Sequence, residues 1–356
     1  MRVGVDAQIA EVSHAGIGQF TAALSKWLPL VDRETTYVSL RPSHARDFSV
    51  PGRWWWDQVT VPRLVRRERV DVLLKPGFSG PVRPSVPTVV VLHDLAARLF
   101  PEQLHRPSAW FYGRWLPWTL RFAARIIAVS EYTAAEAIRE LKLPSDRLRV
   151  ALQGVEQPFP TTTAAQQAAL AHFKLPEKFL LHVGTLEPRK NLTFLVRVFA
   201  QFRRRFPSYD LVLAGSEGWL AGDVRRAVTQ HGLDEHVRLL GGVNDVELQA
   251  LYHQARVLAF PSWYEGFGRP PLEAMAAGTP VVAAVTSSIP EVVGQAGILV
   301  NGYEEGAWVT ALASAAEDEE RRRHLRRLGR DRSRQFTWER TARIVAKVVH
   351  EAVVSG

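Results

Sequence analysis

Twelve short runs rich in β-branched and apolar residues alternate with longer stretches of helical period, a pattern that restricts the chain to parallel sheets wrapped by crossover helices. The runs fall at 2–6, 37–40, 70–74, 88–93, 125–129 and 149–152, and again at 179–183, 210–214, 237–240, 257–260, 280–284 and 298–300. Six in each half predict two similar α/β domains, which the length of 356 residues accommodates. Leu192, Leu195, Val196, Phe199 and Phe202 recur at spacings of three and four, so the seventh run leads into an amphipathic helix with a polar start at Asn191. The expected domains are 1–160 and 161–336, followed by a terminal helix, 337–356, whose apolar face must pack on one of them. Between the domains, the Pro- and Gly-bearing stretch 153–160 and the small-residue tract 161–168 read as an exposed linker.

Composition excludes several classes. The chain has no cysteine, which removes disulfide scaffolds, thiolate metal sites and cysteine nucleophiles. Its start lacks the apolar run of a secretory signal, and no stretch of 18 apolar residues is present, so the expectation is a cytoplasmic protein, at most peripheral on a membrane. The 45 basic and 36 acidic residues leave +9. Residues 1–160 hold 21 Lys/Arg and 15 Asp/Glu, so +6 of that excess lies in the first half and favours an anionic partner there. Nucleic acid is not expected as that partner, because no recognition helix or RNA-binding signature accompanies the charge.

In doubly wound domains, ligands bind outside the carboxyl ends of the strands. The most informative loop there is 261–280, PSWYEGFGRPPLEAMAAGTP. Gly266, Phe267 and Gly268 can bring backbone N–H groups close to a ligand at a helix start, the arrangement of a diphosphate cradle. Glu265 sits in this loop and Glu273 is expected in the first helical turn. For Glu273, a ribose ligand and a carboxylate stabilised by the helix dipole remain alternatives. The matching loop after the seventh run, Gly184 to Asn191, places Arg189 and Lys190 together, two cations able to neutralise a leaving pyrophosphate or simply to lie in a solvated turn. In the first half, Gly16 and Gly18 begin a helical pattern. They make a poor nicotinamide-dinucleotide fingerprint, because Thr21 takes the place of the third glycine. His93 and Asp94 end an apolar strand.

These motifs, with Ala128-Val129-Ser130-Glu131 and the run Glu273 to Val282, stand in the order found in the retaining glycosyltransferases of family 4, which the chain resembles over almost its whole length. The resemblance implies an α/β fold of the GT-B type: two facing Rossmann-like domains with parallel sheets, and a C-terminal helix crossing back to the N-terminal domain. It implies transfer of a hexose from a nucleoside-diphosphate sugar to a glycan or polyprenyl-diphosphate-linked glycan. By position, Glu265 would contact the donor sugar, Glu273 the ribose, and Arg189 and Lys190 the diphosphate. Gly184 and Gly266 to Gly268 would line the donor loops, Gly16 and Gly18 would lie over the phosphates, and His93 would stand beside the transferred sugar. No metal or other cofactor is implied.

GDP-mannose is the first expectation for the donor, with UDP-hexoses and dTDP-rhamnose as alternatives. A phosphorylase and a noncatalytic nucleotide-sugar-binding protein are further rivals. Asp94, Trp110 and Trp115 are the expected acceptor contacts. The aromatics 54–56, 110–112, 115 and 118 are interleaved with arginines. They suit sugar stacking, an anionic inner-leaflet membrane surface, or ordinary core packing beside a solvated face.

Overall fold

The computed structural model describes residues 1–12, 16–41, 49–77, 79–104, 106–156, 168, 170–216 and 221–354. The chain divides into two compact units, Met1–Gly154 with Phe336–Gly356, and Val155–Gln335.

The N-terminal unit carries β1 (Arg2–Asp6), β2 (Thr36–Leu40), β3 (Val72–Lys75), β4 (Thr88–Leu92), β5 (Arg125–Ala128) and β6 (Leu148–Val150). The C-terminal unit carries β7 (Lys178–Val183), β8 (Tyr209–Ala214), β9 (Val237–Gly241), β10 (Val257–Phe260), β11 (Val281–Ala284) and β12 (Ile298–Val300). Each set forms one parallel sheet, ordered β2-β1-β3-β4-β5-β6 and β12-β11-β10-β7-β8-β9. Val, Ile and Leu fill both faces of the central strands because crossover helices cover the sheet on each side, and β3, β4 and β10 are buried throughout. The order reverses between β1 and β3 in the first sheet and between β7 and β10 in the second. At those points the connections leave in opposite directions and open a crevice at the carboxyl ends.

The helix Leu192–Arg205 follows β7 and buries Phe194, Val198 and Ala200 in addition to the five apolar positions legible in its period. Its core face is therefore wider than a single stripe. Ser130, in the Ala-Val-Ser-Glu motif, caps the helix Glu131–Leu141 by accepting from the Thr133 N–H at 3.0 Å.

The terminal helix Trp338–Val354 belongs to the N-terminal unit and packs on the helix Gly16–Val31. Its anchors are specific: Trp338 meets the Phe20 ring edge-on at 5.7 Å, Thr341 Oγ1 donates to the Leu152 carbonyl at 2.6 Å, and His350 Nε2 lies 2.9 Å from Asp32 Oδ2. The stretch expected to be an exposed linker begins differently. Gln153, Gly154 and Val155 are buried, and a Cβ on Gly154 would stand 2.3 Å from the backbone nitrogen of Trp338. Glycine is required there by the close approach of the terminal helix. Most of the expected linker, 157–167, lies outside the described residues.

Candidate active site

In the C-terminal unit β10 lies beside β7, with Val257 opposite Leu180 and Leu258 opposite Leu181. The loops that leave these two strands therefore emerge side by side, although some 75 residues separate them in sequence. Trp263 N–H donates to the Arg189 carbonyl at 2.7 Å and ties one loop to the other. Pro188–Lys190 forms a single 3₁₀ turn, and Asn191 ends it in the left-handed conformation at φ 55°. That turn aims both cations at one carboxylate. Lys190 Nζ stands 2.6 Å from Glu265 Oε1 and Arg189 NH1 stands 2.8 Å from Glu265 Oε2. Arg189 also reaches the Tyr264 carbonyl at 3.1 Å and Glu187 Oε1 at 2.9 Å.

Glu265 is 6% exposed. Burial pushes its pKa up, but the charges of Arg189 and then Lys190 outweigh burial and bring it down to about 2. Its folded value lies below the ordinary 4.5, so this carboxylate stabilises the fold above pH 4.5, and that contribution is lost as pH falls toward 2. Lys190 is also held below its usual value, first by burial and then by Arg189, with Glu265 opposing both. Burial opposes both charges: the two cations overcome it at Glu265, whereas at Lys190 the neighbouring Arg189 adds to it and Glu265 and Glu187 only partly offset it.

Behind this group, His182 is fully buried at the end of β7, with Nδ1 3.0 Å from the Ala259 carbonyl and its ring stacked on Phe260 at 5.6 Å. Burial lowers its pKa to about 4, so it is neutral at physiological pH. Gly184, which follows β7 at φ 149°, lies against Lys190: a Cβ there would stand 3.2 Å from the lysine Cε.

The glycine loop runs from Glu265 into the helix Arg269–Ala277, with Gly266, Phe267 and Gly268 all buried. Gly268 is the N-cap at φ 96°, where a Cβ would meet Ile289 Cδ1 at 2.6 Å. Both its conformation and its packing demand glycine. Ser287 and Ser288 brace the loop: Glu265 N–H donates to Ser287 Oγ at 2.8 Å, and Ser288 Oγ donates to the Glu265 carbonyl at 2.9 Å.

Glu273 does not lie in the first helical turn. The helix begins at Arg269, immediately after Gly268, which puts Glu273 in the second turn and leaves no acidic residue in the first. The dipole account of this carboxylate loses its geometric basis, since the effect fades beyond the first turn. Instead, Glu273 is held by Tyr252 Oη at 2.9 Å and Arg269 NH2 at 2.8 Å. Burial and Glu273 push the Tyr252 hydroxyl well above its ordinary pKa, so it remains a donor.

The N-terminal unit closes its own switch point with charge. Asp6 ends β1 and Lys75 ends the adjacent β3, and Lys75 Nζ lies 2.5 Å from Asp6 Oδ2 and 2.5 Å from Asp57 Oδ1. Ser79 Oγ donates to Asp57 Oδ2 at 2.6 Å, Arg53 NH2 donates to Ser79 Oγ at 3.2 Å, and Trp56 Nε1 donates to Asp6 Oδ2 at 3.1 Å. Burial would raise the Asp6 pKa, yet Lys75 and then Arg53 hold it below 3.8. Next to this network, His93 Nε2 lies 2.6 Å from the Pro76 carbonyl, so that nitrogen carries the ring's donated proton. The His93 ring meets Phe20 edge-on at 4.9 Å. Asp94 Oδ1 accepts from Ala96 N–H at 2.9 Å and so holds the turn that follows. Gly16 and Gly18 open the helix Gly16–Val31, the first exposed and the second buried. Trp110 is 57% exposed and stacks on Trp115 at 6.1 Å.

The structure thus joins Arg189, Lys190 and Glu265 in one group and gives Glu273 separate partners. Sequence reasoning missed Lys75, Asp6, Asp57, His182 and Tyr252. A polar or charged residue at the end of an apolar strand is the signal that Asp6 and Lys75 share with His93.

Against known proteins, residues 167–332 match the model for glycosyl transferases group 1, and residues 22–157 match that for glycosyltransferase family 4. The chain belongs to this family of glycosyltransferases. It is 33% identical over 258 residues to the O-antigen chain mannosyltransferase B of Escherichia coli, an alignment covering 70% of this chain and 67% of that one. It is 32% identical over 237 residues to the D-inositol 3-phosphate glycosyltransferase of Pseudarthrobacter chlorophenolicus, covering 65% of this chain and 56% of that one. Among solved structures, sucrose-phosphate synthase from Thermosynechococcus elongatus aligns at TM-score 0.78 and 18% identity, covering 100% and 99% of the two chains. WaaG, a glycosyltransferase involved in lipopolysaccharide biosynthesis, aligns at 0.73 and 13%, covering 98% and 99%. The fold is therefore that of the GT-B glycosyltransferases. No helix among the described residues is long and apolar enough to cross a membrane.

Lys75 supplies a test of the N-terminal network. Removing one member of a buried ion group leaves the others uncompensated, so Lys75→Met is expected to cost about 3–5 kcal/mol in urea denaturation at pH 7.5. Asp6 then loses the cation that chiefly holds its pKa down, burial pushes it above its unfolded value, and protonation favours the variant's folded state. The stability gap to the wild type should narrow between pH 7.5 and pH 5. A gap independent of pH would show that Lys75 does not neutralise these carboxylates.

Proposed function

We propose that the protein transfers a mannosyl residue from GDP-mannose to a hydroxyl of a glycan, with retention at the anomeric carbon and without a metal ion. The observation that carries this reading is the meeting of Arg189 and Lys190 at the switch point of the second sheet, beside a glycine-bearing loop and a helix start. Similarity to a bacterial O-antigen mannosyltransferase supports the choice of sugar.

In the reaction, the bond from the sugar C1 to the diphosphate oxygen breaks and its electron pair leaves with GDP. The acceptor hydroxyl oxygen bonds to C1 from the same face, and its proton passes to the departing diphosphate. Positive character grows on the sugar and negative charge on the phosphate, so cations fixed in advance lower the barrier without having to reorganise. Arg189, whose guanidinium is already engaged by Glu187, Glu265 and the Tyr264 carbonyl, contributes its fixed positive charge to the phosphate, and Lys190 acts as a point charge. A diphosphate would also supply the negative charge that buried Lys190 lacks. Glu265 orients both cations and presents its carboxylate to sugar hydroxyls, and Glu273, held by Tyr252 and Arg269, receives the ribose. Gly18 and His93 are assigned on the family pattern, over the phosphates and beside the sugar.

Two experiments decide the reading. Arg189→Ala and Lys190→Ala should each lower kcat for GDP-mannose on the order of 10²- to 10³-fold with the circular dichroism spectrum retained, while EDTA leaves wild-type turnover unchanged. Wild-type turnover in both variants would remove the assignment, and loss of activity in EDTA would remove the metal-independent step. In thermal shift, GDP should raise the melting temperature more than UDP or dTDP at equal concentration, since a ligand selective for the native state stabilises it by mass action. A larger shift with UDP or dTDP would replace the donor, and no shift with any of the three would leave the chain without a nucleotide-sugar site.

A further inference from the structure

Two helical segments of the N-terminal unit contain π-helical turns, Trp56–Thr60 and Phe111–Trp115. Such turns are rare, strain the hydrogen-bond ladder, and concentrate at functional sites. Both border the loop that follows β3. From the first turn, Gln58 clamps this loop twice, donating to the Gly80 carbonyl at 3.2 Å and accepting from Val82 N–H at 2.9 Å, while Asp57 holds Ser79. From just beyond the second, Thr119 Oγ1 accepts from Gly80 N–H at 3.2 Å. The loop is thereby fixed from both sides.

On this floor lies a cavity of about 220 Å³ lined by Trp54, Gln58, Pro81, Val82, Arg83 and Trp115. Trp115 ends the second π-helical turn, and Trp54 lies two residues before the first. The second turn also sets the direction of Trp115: residues five apart diverge by about 140° on an α-helix, yet Trp110 and Trp115 stack with 26° between their planes. Trp115 is further fixed by Trp118, at 5.1 Å. Trp54 is 42% exposed, and Arg83 is exposed with no hydrogen-bond or ion-pair partner among the described residues. Two indole faces, one of them held by its aromatic neighbours, a clamped floor and an unengaged guanidinium make a concave site with few polar groups.

We propose that this cavity binds a hexopyranose ring of the acceptor glycan. The C–H groups on one face of a pyranose pack on an indole, and its hydroxyl edge accepts hydrogen bonds from a guanidinium. The concavity and the clamped floor favour a saccharide over a bilayer, which is met by convex, protruding rings. The inference rests on the reading that the acceptor is a glycan. It adds a site that holds the acceptor on the protein and so raises its effective concentration.

The test is calorimetric titration of the intact protein, without donor, using mannotetraose, maltotetraose and galactotetraose as probes. At least one tetrasaccharide should bind the wild type. Trp54→Ala, Trp115→Phe and Arg83→Gln should weaken that binding, on the order of tenfold for Trp54→Ala, with GDP affinity unchanged as evidence that the variants fold. Binding of none of the probes, or equal binding by wild type and all three variants, overturns the proposal. Co-sedimentation with phosphatidylglycerol vesicles is the second arm. If Trp54→Ala and Trp115→Phe abolish vesicle binding and leave tetrasaccharide binding intact, the cavity is part of a membrane contact and the proposal is also overturned. Because no donor is present, these results stand apart from the turnover of GDP-mannose: saccharide binding by an inactive enzyme would sink the reaction and keep the site.

Discussion

One buried carboxylate held by two cations organises the C-terminal unit. Taking Glu265, Arg189 and Lys190 out of water costs several kcal/mol per ion, and that cost is offset only when geometry and hydrogen bonding are nearly complete. The loops after β7 and β10 meet this condition through the 3₁₀ turn at Pro188–Lys190, the Trp263-to-Arg189 backbone bond and the two serines behind Glu265. Loops that would otherwise move independently are joined at the point where the sheet order reverses. Under the proposed reaction, the cations are set before the substrate arrives, so little reorganisation is needed as the phosphate charge develops.

The N-terminal unit applies the same physics to a different end. Its switch point is occupied by Lys75 between Asp6 and Asp57, and the hydrogen bonds that radiate from this group run outward to the loop after β3. That loop carries the Pro76 carbonyl that fixes His93, the Gly80 and Val82 backbone groups that Gln58 clamps, and the residues Pro81, Val82 and Arg83 that line the aromatic cavity. A buried network with each charge matched specifies one arrangement of the elements around it, and here those elements bear the residues assigned to the acceptor.

How much of this was legible from the amino acids depended on the range of the interaction. The strands appear within two residues of the sequence expectation because alternating β-branched runs and helical period are local signals. Lys75 shows the limit: the fourth strand-end residue in Val72–Lys75 looks like a boundary charge, and its partner Asp57 lies on a π-helical turn that has no sequence signature. The pairing of Arg189 and Lys190 with Glu265 could be guessed from motif order, but the mutual bonds follow from the adjacency of β7 and β10, which sequence order hides. Glu273 was misplaced by one turn because two prolines after Gly268 allow several helix starts, and the left-handed glycine cap chooses the earliest. Gln153 to Val155 read as linker from composition, whereas the terminal helix, distant in sequence, buries Gly154.

The central claim is that Glu265 stays ionised because Arg189 and Lys190 both hold it. The most direct measurement is its carboxyl titration by ¹³C NMR, assigned with Glu265→Gln. A midpoint near 2 is expected, moving upward when Lys190 is replaced by methionine. A wild-type midpoint near the ordinary 4.5, unaltered by loss of Lys190, would contradict the account.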